Sequence, residues 1–303
     1  MTNYLLKYST QSGRIFFTLI LFLTFSFTIN SSMAAESAGK ERPVLKVCAD
    51  PELMPFSNKR EEGLENKIAE LLAKELGAEV KYEWFPQRIG FIRNTLRSED
   101  NGVYKCDLVM SVPEHFELAA TTKPYYASTY AMVYIEGRGL DTVTEPEMLE
   151  TLSKEGKHFK FGLFDRGPAQ IWVFKHNLMD DMVPYQFQIG DARENPTEII
   201  LNDLYDGKID VTIVWGPTAA YFASQNKDRG RMVIIPLDDK NPKLPEMKFV
   251  YNMSMAVRYG DNEWKDQLNK FIDEHQEDIN DIISSYGIPV IEIVPKPAPK
   301  DDD

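Results

Sequence analysis

Short apolar runs alternate with amphipathic stretches along most of this chain. Val44 to Ala49 and Glu79 to Phe85 read as strands. Between them, Gly63 to Gly77 places Leu64, Ile68, Leu71, Leu72 and Leu76 on one helical face, and Gly77 suits a left-handed C-terminal cap. Pro86 opens a second helix, with Ile89, Ile92 and Leu96 as its buried stripe. Ser98 to Lys105 is a polar turn, and Asp107 to Met110 is a third strand. Ser111, Val112 and Pro113 stop that strand, because Pro113 lacks the N–H a ladder needs. A polar, loop-like passage ends at Thr121 to Pro124, and Tyr125 to Ile135 returns to strand character.

The second half repeats the plan. Gly137 and Gly139 break the chain, Glu147 to Ser153 is a short helix, and Phe159 to Phe164 is a strand. Asp165 to Pro168 turns into a helix that continues over Ala169 to Asn177. Tyr185 to Ile189 is a strand; Pro196 to Tyr205 is a helix with Ile199, Ile200 and Leu204 inward. The strand Ile209 to Trp215, the helix Thr218 to Ser224 and the strand Met232 to Pro236 follow. Phe249 to Arg258 is a return strand, and Asn262 to Tyr286 is helical throughout. Strands alternating with helices define an α/β class with two doubly wound lobes joined by two crossing strands. The expected organisation is a leader over residues 1–34, lobe 1 over 43–129 plus 258–290, lobe 2 over 130–257, and a disordered tail over 291–303.

Composition narrows the compartment and the partners. Lys7 and Arg14 precede an apolar run from Ile15 to Ile29, shorter than the roughly 20 residues of a membrane span. Ser32-Met33-Ala34 supplies small residues for signal peptidase, with cleavage after Ala34 or Ala35; the alternative is an uncleaved anchor. No later stretch reads as a span, so a periplasmic protein without a stable membrane anchor is expected. The 303-residue chain carries a net charge of −13, which disfavours nucleic acid and anionic membranes. That charge suits a basic protein partner, or serves solubility alone. In an exported chain, Cys48 and Cys106 on neighbouring strands form a disulfide or remain two buried thiols.

Specific residues carry a family resemblance from about Val44 to Pro289. Met110, Ser111, Pro113, Glu114 and His115, followed by Pro124, Tyr125 and Tyr126, resemble the signature of bacterial solute-binding proteins, family 3, the periplasmic amino-acid-binding type. That resemblance implies the type II periplasmic binding protein fold. The segments VCADPELMPFSN, WFPQRIGFIRNTL, KCDLVMSVP and TTKPYYASTYAMVY resemble a narrower group, the J-type accessory proteins of methanol oxidation. The resemblance to that group implies a non-catalytic partner of the subunits of a quinoprotein, pyrroloquinoline-quinone-dependent methanol dehydrogenase. It implies a role in assembly, activation or association, and no cofactor of its own.

An amino-acid site needs an Arg fork for the carboxylate and an acid for the ammonium. By resemblance, the Arg position is His115, the Asp position is Trp215 and the first-loop aromatic position is Leu53. The acidic residue usual at the start of the first helix is read as missing from Gly63-Leu64-Glu65. A small ligand other than an amino acid, bound for an ABC importer, is the alternative use of the cleft. Asp50, Leu53, Ser111, His115, Arg166 and Trp215 are the candidate lining residues. Arg166 sits at a strand-to-helix turn suited to an anion or pairs with Asp165; Asp50 holds a polar ligand group or caps its own turn. The four histidines (His115, His158, His176 and His275) lack metal-ligand spacing, and three are expected at the surface. No nucleophile motif or acid/base pair nominates catalysis.

Overall fold

The computed structural model of the chain describes residues 42–165, 167–187 and 195–294. The leader and residues 295–303 lie outside the described residues. The first half runs β1 (Val44–Ala49), β2 (Glu52–Leu53), β3 (Ser57–Asn58), α1 (Leu64–Leu76), β4 (Glu79–Trp84), α2 (Phe91–Asn94), β5 (Glu99–Asp100), β6 (Val103–Tyr104) and β7 (Leu108–Pro113). Then come β8 (Ala120–Ile135), α3 (Met148–Lys154), β9 (Phe161–Phe164), α4 (Pro168–Lys175), β10 (Met182–Tyr185), α5 (Pro196–Tyr205), β11 (Val211–Trp215), α6 (Gly216–Gln225) and β12 (Met232–Pro236). The chain returns through β13 (Val250–Val257) to α7 (Asn262–Glu274) and α8 (Gln276–Ser285).

The main sheet has the order β10-β9-β11-β8-β13-β7-β1-β4, with β12 also pairing β8. β1 lies parallel between β4 and β7 in the first lobe, and β9 lies parallel between β10 and β11 in the second. β8 and β13 are the two crossing strands. The early part of β8 pairs antiparallel with β13, and its later part pairs with β11 and β12. The resulting architecture is a two-lobed type II periplasmic binding protein fold.

Period-2 alternation explains why both lobes are covered on both faces. Val47, Leu108 and Met110 face a core shared with Ile68 and Leu72 of α1, Trp264 and Phe271 of α7 and Ile279 of α8. Their neighbours Cys48 and Val109 face a second core beneath Phe91, Ile92 and Leu96, and the left-handed Ser111 turns Val112 to that face as well. In the other lobe Met132, Val211 and Ile213 pack with Trp172, while Val133, Ile135 and Val214 pack with Ile200 and Leu204. α1 ends at Gly77, whose φ of 63° is left-handed and free of a Cβ penalty. His176 is buried, not at the surface; its ring stacks on Trp172 and its Nδ1 meets the Trp172 carbonyl at 2.7 Å.

Several elements differ from the sequence expectation. β7 continues through Pro113, which sits opposite Met253 and ends the strand one residue before Glu114 N–H donates to Asn252 O. β8 starts at Ala120, and Pro124 is accommodated where the β8–β13 register shifts. The helix from Pro86 shrinks to α2, because a turn from Pro86 to Gly90 (φ 92°) precedes it and leaves Ile89 85% exposed. β10 forms at Met182–Tyr185 because its ladder follows Phe161 to Phe164 of β9. Ile199 is exposed, since Ile200, Leu201 and Leu204 already fill the inward face of α5. The final helix breaks at His275, which bonds Asp278 at 2.9 Å. β13, the return strand, contributes Met253 to Ala256 to the ladder with β7. Ile291 bridges Ala127 and Val294 N–H donates to Asn252 Oδ1, so residues 291–294 are tied to the crossing strands.

Cys48 and Cys106 form a disulfide with Cα atoms 5.4 Å apart. Cys106 precedes β7, so the bond reaches β1 from a turn and the parallel ladder is undisturbed. Closing a loop across a sequence separation of 58 stabilises the fold by about 4 kcal/mol on a chain-entropy basis. Replacing both cysteines by Ser is expected to lower the unfolding free energy by about that amount in urea titrations, with the native circular dichroism spectrum retained.

Candidate functional site

The C-terminal ends of the parallel strands in both lobes open onto one cavity of about 430 Å³. Asp50 follows β1, Ser111 lies in β7, Asp165 follows β9 and Trp215 ends β11. Leu53, Phe56 and Met253 add apolar surface from the first lobe and the returning strand. Tyr130, Phe164 and Phe187 add aromatic surface opposite. Thr197 and Thr218 bring the first turns of α5 and α6 to the wall.

The structure brings four of the six sequence candidates together. The Asp50 carboxylate accepts the Glu52 N–H at 2.8 Å and also the Gln87 N–H, so it braces the first-lobe loops as well as lining the cavity. Leu53 packs its side chain on the first-lobe core at the cavity wall. Ser111 adopts a φ of 51°, and both its N–H and its Oγ meet Tyr125 OH at 3.0 Å. That bond holds a left-handed serine at the end of a parallel strand. Trp215 meets Tyr130 edge-on at 5.3 Å and Tyr251 at 6.0 Å, forming an aromatic wall where the crossing strands meet β11. A Cβ on the next residue, Gly216, would sit 2.6 Å from Thr129 O, which explains how closely this end of β11 approaches β8.

His115 does not line the cavity. Its φ of 63° turns the side chain outward, where it is 65% exposed with Nε2 3.7 Å from Glu114. Arg166 lies outside the described residues, although its neighbours Asp165 and Gly167 line the cavity.

Glu65 was missed and corrects the sequence reading. The start of the first helix does carry an acidic residue: Glu65 is 6% exposed and lines the cavity in the first turn of α1. Gly63 permits this placement, since a Cβ there would lie 2.1 Å from Phe56 O. The signal was an acid four and seven residues ahead of the buried Ala69 and Leu72, on the same inward stripe. Burial pushes the Glu65 carboxyl up to about 7; the Asp50 charge pushes the same way, and the Ser111 hydroxyl opposes both. Its helix N-terminal position favours the anion but does not outweigh desolvation.

The described lining therefore holds Asp50, Glu52, Glu65 and Asp165 against one basic side chain, Arg88, which already has a partner in the protein. No group of three or more His, Cys, Asp or Glu is arranged to hold a metal ion among the described residues. No helix among them is long and apolar enough to cross a membrane.

Comparison with known proteins covers nearly all of the described chain. The profile of bacterial extracellular solute-binding proteins, family 3, matches residues 45–287. Protein MoxJ of Methylorubrum extorquens is 26% identical over 277 residues, spanning 87% of this chain and 87% of MoxJ. The crystal structure of the periplasmic binding protein XoxJ from Methylobacterium extorquens AM1 superposes with a TM-score of 0.65 at 29% identity, covering 82% of this chain and all of XoxJ. MxaJ from Methlophaga aminisulfidivorans MPT gives a TM-score of 0.64 at 23% identity over 82% of this chain and all of MxaJ, a likeness of fold.

The raised Glu65 carboxyl has a stability consequence. Between its ordinary value of 4.5 and about 7 the folded protein holds a proton that the unfolded chain releases, so stability falls as pH rises through this window. Glu65→Gln removes the cost. The variant is expected to match the wild type near pH 4 and exceed it by up to roughly 3 kcal/mol at pH 8 in urea titrations. A difference independent of pH would contradict the assignment.

Proposed function

The chain belongs to the bacterial extracellular solute-binding proteins, family 3, and from that premise we propose that it is a non-catalytic periplasmic accessory protein of a pyrroloquinoline-quinone-dependent methanol dehydrogenase. In this reading it assists the enzyme's assembly, activation or association. The observation that carries the proposal is the altered cleft. The position that would offer a guanidinium is His115, turned to solvent, and the position that would offer the ammonium-binding acid is Trp215, packed against Tyr130 and Tyr251. An amino acid would lose both anchors, each a charge-assisted interaction. The similarity to MoxJ and XoxJ across most of the chain supports the same direction.

The partner is the dehydrogenase itself, met through a predominantly acidic surface on a chain of net charge −13. Such a surface accelerates encounter with a basic subunit and is weakened by salt. The N-terminal leader, cleaved after Ala34 or Ala35, delivers the protein to the periplasm without a membrane anchor.

One observation favours a second use of the same fold. Glu65 is a buried carboxyl facing a cavity of about 430 Å³, a size suited to a small molecule. A small ligand other than an amino acid, delivered to an ABC importer, would use it.

The test of the first reading is a pull-down of the mature protein from periplasmic extract of its own host at low and moderate salt. A quinone-containing alcohol dehydrogenase is expected in the low-salt fraction and is expected to be released as salt rises. Its absence at both salts, together with saturable closure of the lobes on a small solute, would transfer the assignment to the second reading.

A further inference from the structure

A second groove of about 750 Å³ adjoins the cleft and shares Gln87, Arg88 and Ser111 with it. Its charge is opposite to that of the chain as a whole. Three arginines, Arg88, Arg93 and Arg97, line it, and its described lining contains no Asp or Glu. Arg93 and Arg97 are exposed, and neither guanidinium has a carboxylate within ion-pair distance among the described residues. Elsewhere arginines are engaged: Arg258 bonds Asp107 at 2.8 Å and Arg231 bonds Glu136 at 2.9 Å. The groove also shows apolar surface to solvent. Ile89 is 85% exposed, Leu118 is 50% exposed, and Phe116 lies half-buried beside them.

Backbone hydrogen bonds shape this surface. Arg88 N–H donates to Pro86 O at 2.8 Å, Phe91 N–H donates to Arg88 O at 2.9 Å, and Gly90 turns the chain at a φ of 92°. Ile89 is thus presented at a fixed position between Arg88 and the Arg93 end of α2. An apolar anchor presented near the unpaired guanidiniums of Arg93 and Arg97 is an arrangement that lowers the entropic cost of docking.

We propose that this groove docks an acidic protein segment bearing apolar side chains, its carboxylates pairing with Arg93 and Arg97 while an apolar side chain packs against Ile89, Phe116 and Leu118. Arg forks match carboxylates in a bidentate geometry. Salt limits electrostatics to about 8–10 Å, so an approaching segment responds to these arginines more than to the distant net charge. The groove is concave, which suits a chain segment better than a bilayer, and a net charge of −13 repels an anionic membrane once the protein lies against it. The inference goes beyond the dehydrogenase reading and does not depend on it.

Fluorescence anisotropy with the mature protein tests it. The probe is a short labelled peptide of alternating Glu and Leu, compared with a Lys and Leu peptide of the same length and with phosphatidylglycerol vesicles. The Glu and Leu peptide is expected to bind saturably and to weaken with salt. The Arg93→Glu/Arg97→Glu variant is expected to bind it at least about tenfold more weakly, and Ile89→Ser several-fold more weakly. All three positions are exposed, so the variants keep the wild-type Tm. Absence of saturable binding, equal binding of the Lys and Leu peptide, or indifference to Arg93→Glu/Arg97→Glu would overturn the proposal. Capture of the vesicles through these arginines in place of the peptide would also overturn it.

Discussion

Strand β8 carries sixteen residues without interruption from the sheet of one lobe into the sheet of the other. The rest of the structure depends on where that strand is gripped. On the first-lobe side its partner is β13, with Val257 opposite Ala120 and Val250 opposite Thr129. Past Thr129 the partners become β11 on one edge and β12 on the other. A one-residue slip would exchange Met132 and Tyr134 with Val133 and Ile135 between the two second-lobe cores, so burial on both faces fixes the register. The aromatic contacts of Trp215, Tyr130 and Tyr251 gather where the partners change. The cavity lies beside that exchange point, so its shape follows from the crossing.

Charge is distributed unevenly over this frame. The cleft gathers carboxyls, one of them buried far enough to hold its proton near neutrality, while the adjoining groove gathers guanidiniums. Asp50 spends its oxygens on backbone N–H groups of two loops, and Ser111 on Tyr125. Several polar groups at the cleft therefore hold the protein's own loops. Such a site has the frame of a solute-binding protein, and under the proposed reading its amino-acid anchors are replaced. This is consistent with a chain kept for its contacts with another protein.

Much of the fold was legible because both faces of its strands are buried. The apolar runs of β1, β11 and β12 announced themselves, and the α1 stripe with its Gly77 cap gave that helix nearly to the residue. The misread elements share a cause: a tertiary contact overrode a local pattern. Ile89, Ile92 and Leu96 have helical spacing, yet the Pro86 to Gly90 turn takes Ile89 out of the core. Pro113 looked like a strand breaker, but the end of a ladder accommodates it, and Pro124, read as loop, joins β8 where the register shifts. In the cleft, Asp50 was read from its loop position and Leu53, Ser111 and Trp215 from the family resemblance, and all four lie at the cavity. Glu65 was not, because a buried acid is recognised only when its helix is seen to face a cavity. His115 occupies the expected place in the sequence, but its left-handed backbone directs it away.

The central proposal is that this cleft, on a lobed solute-binding frame, does not recognise amino acids. Titrating the mature protein with each common α-amino acid, and following its Tm, addresses that claim directly. No amino acid is expected to raise the Tm at millimolar concentration. A saturable rise of several degrees with any of them would require a carboxylate and ammonium site in the folded protein, and would contradict the account.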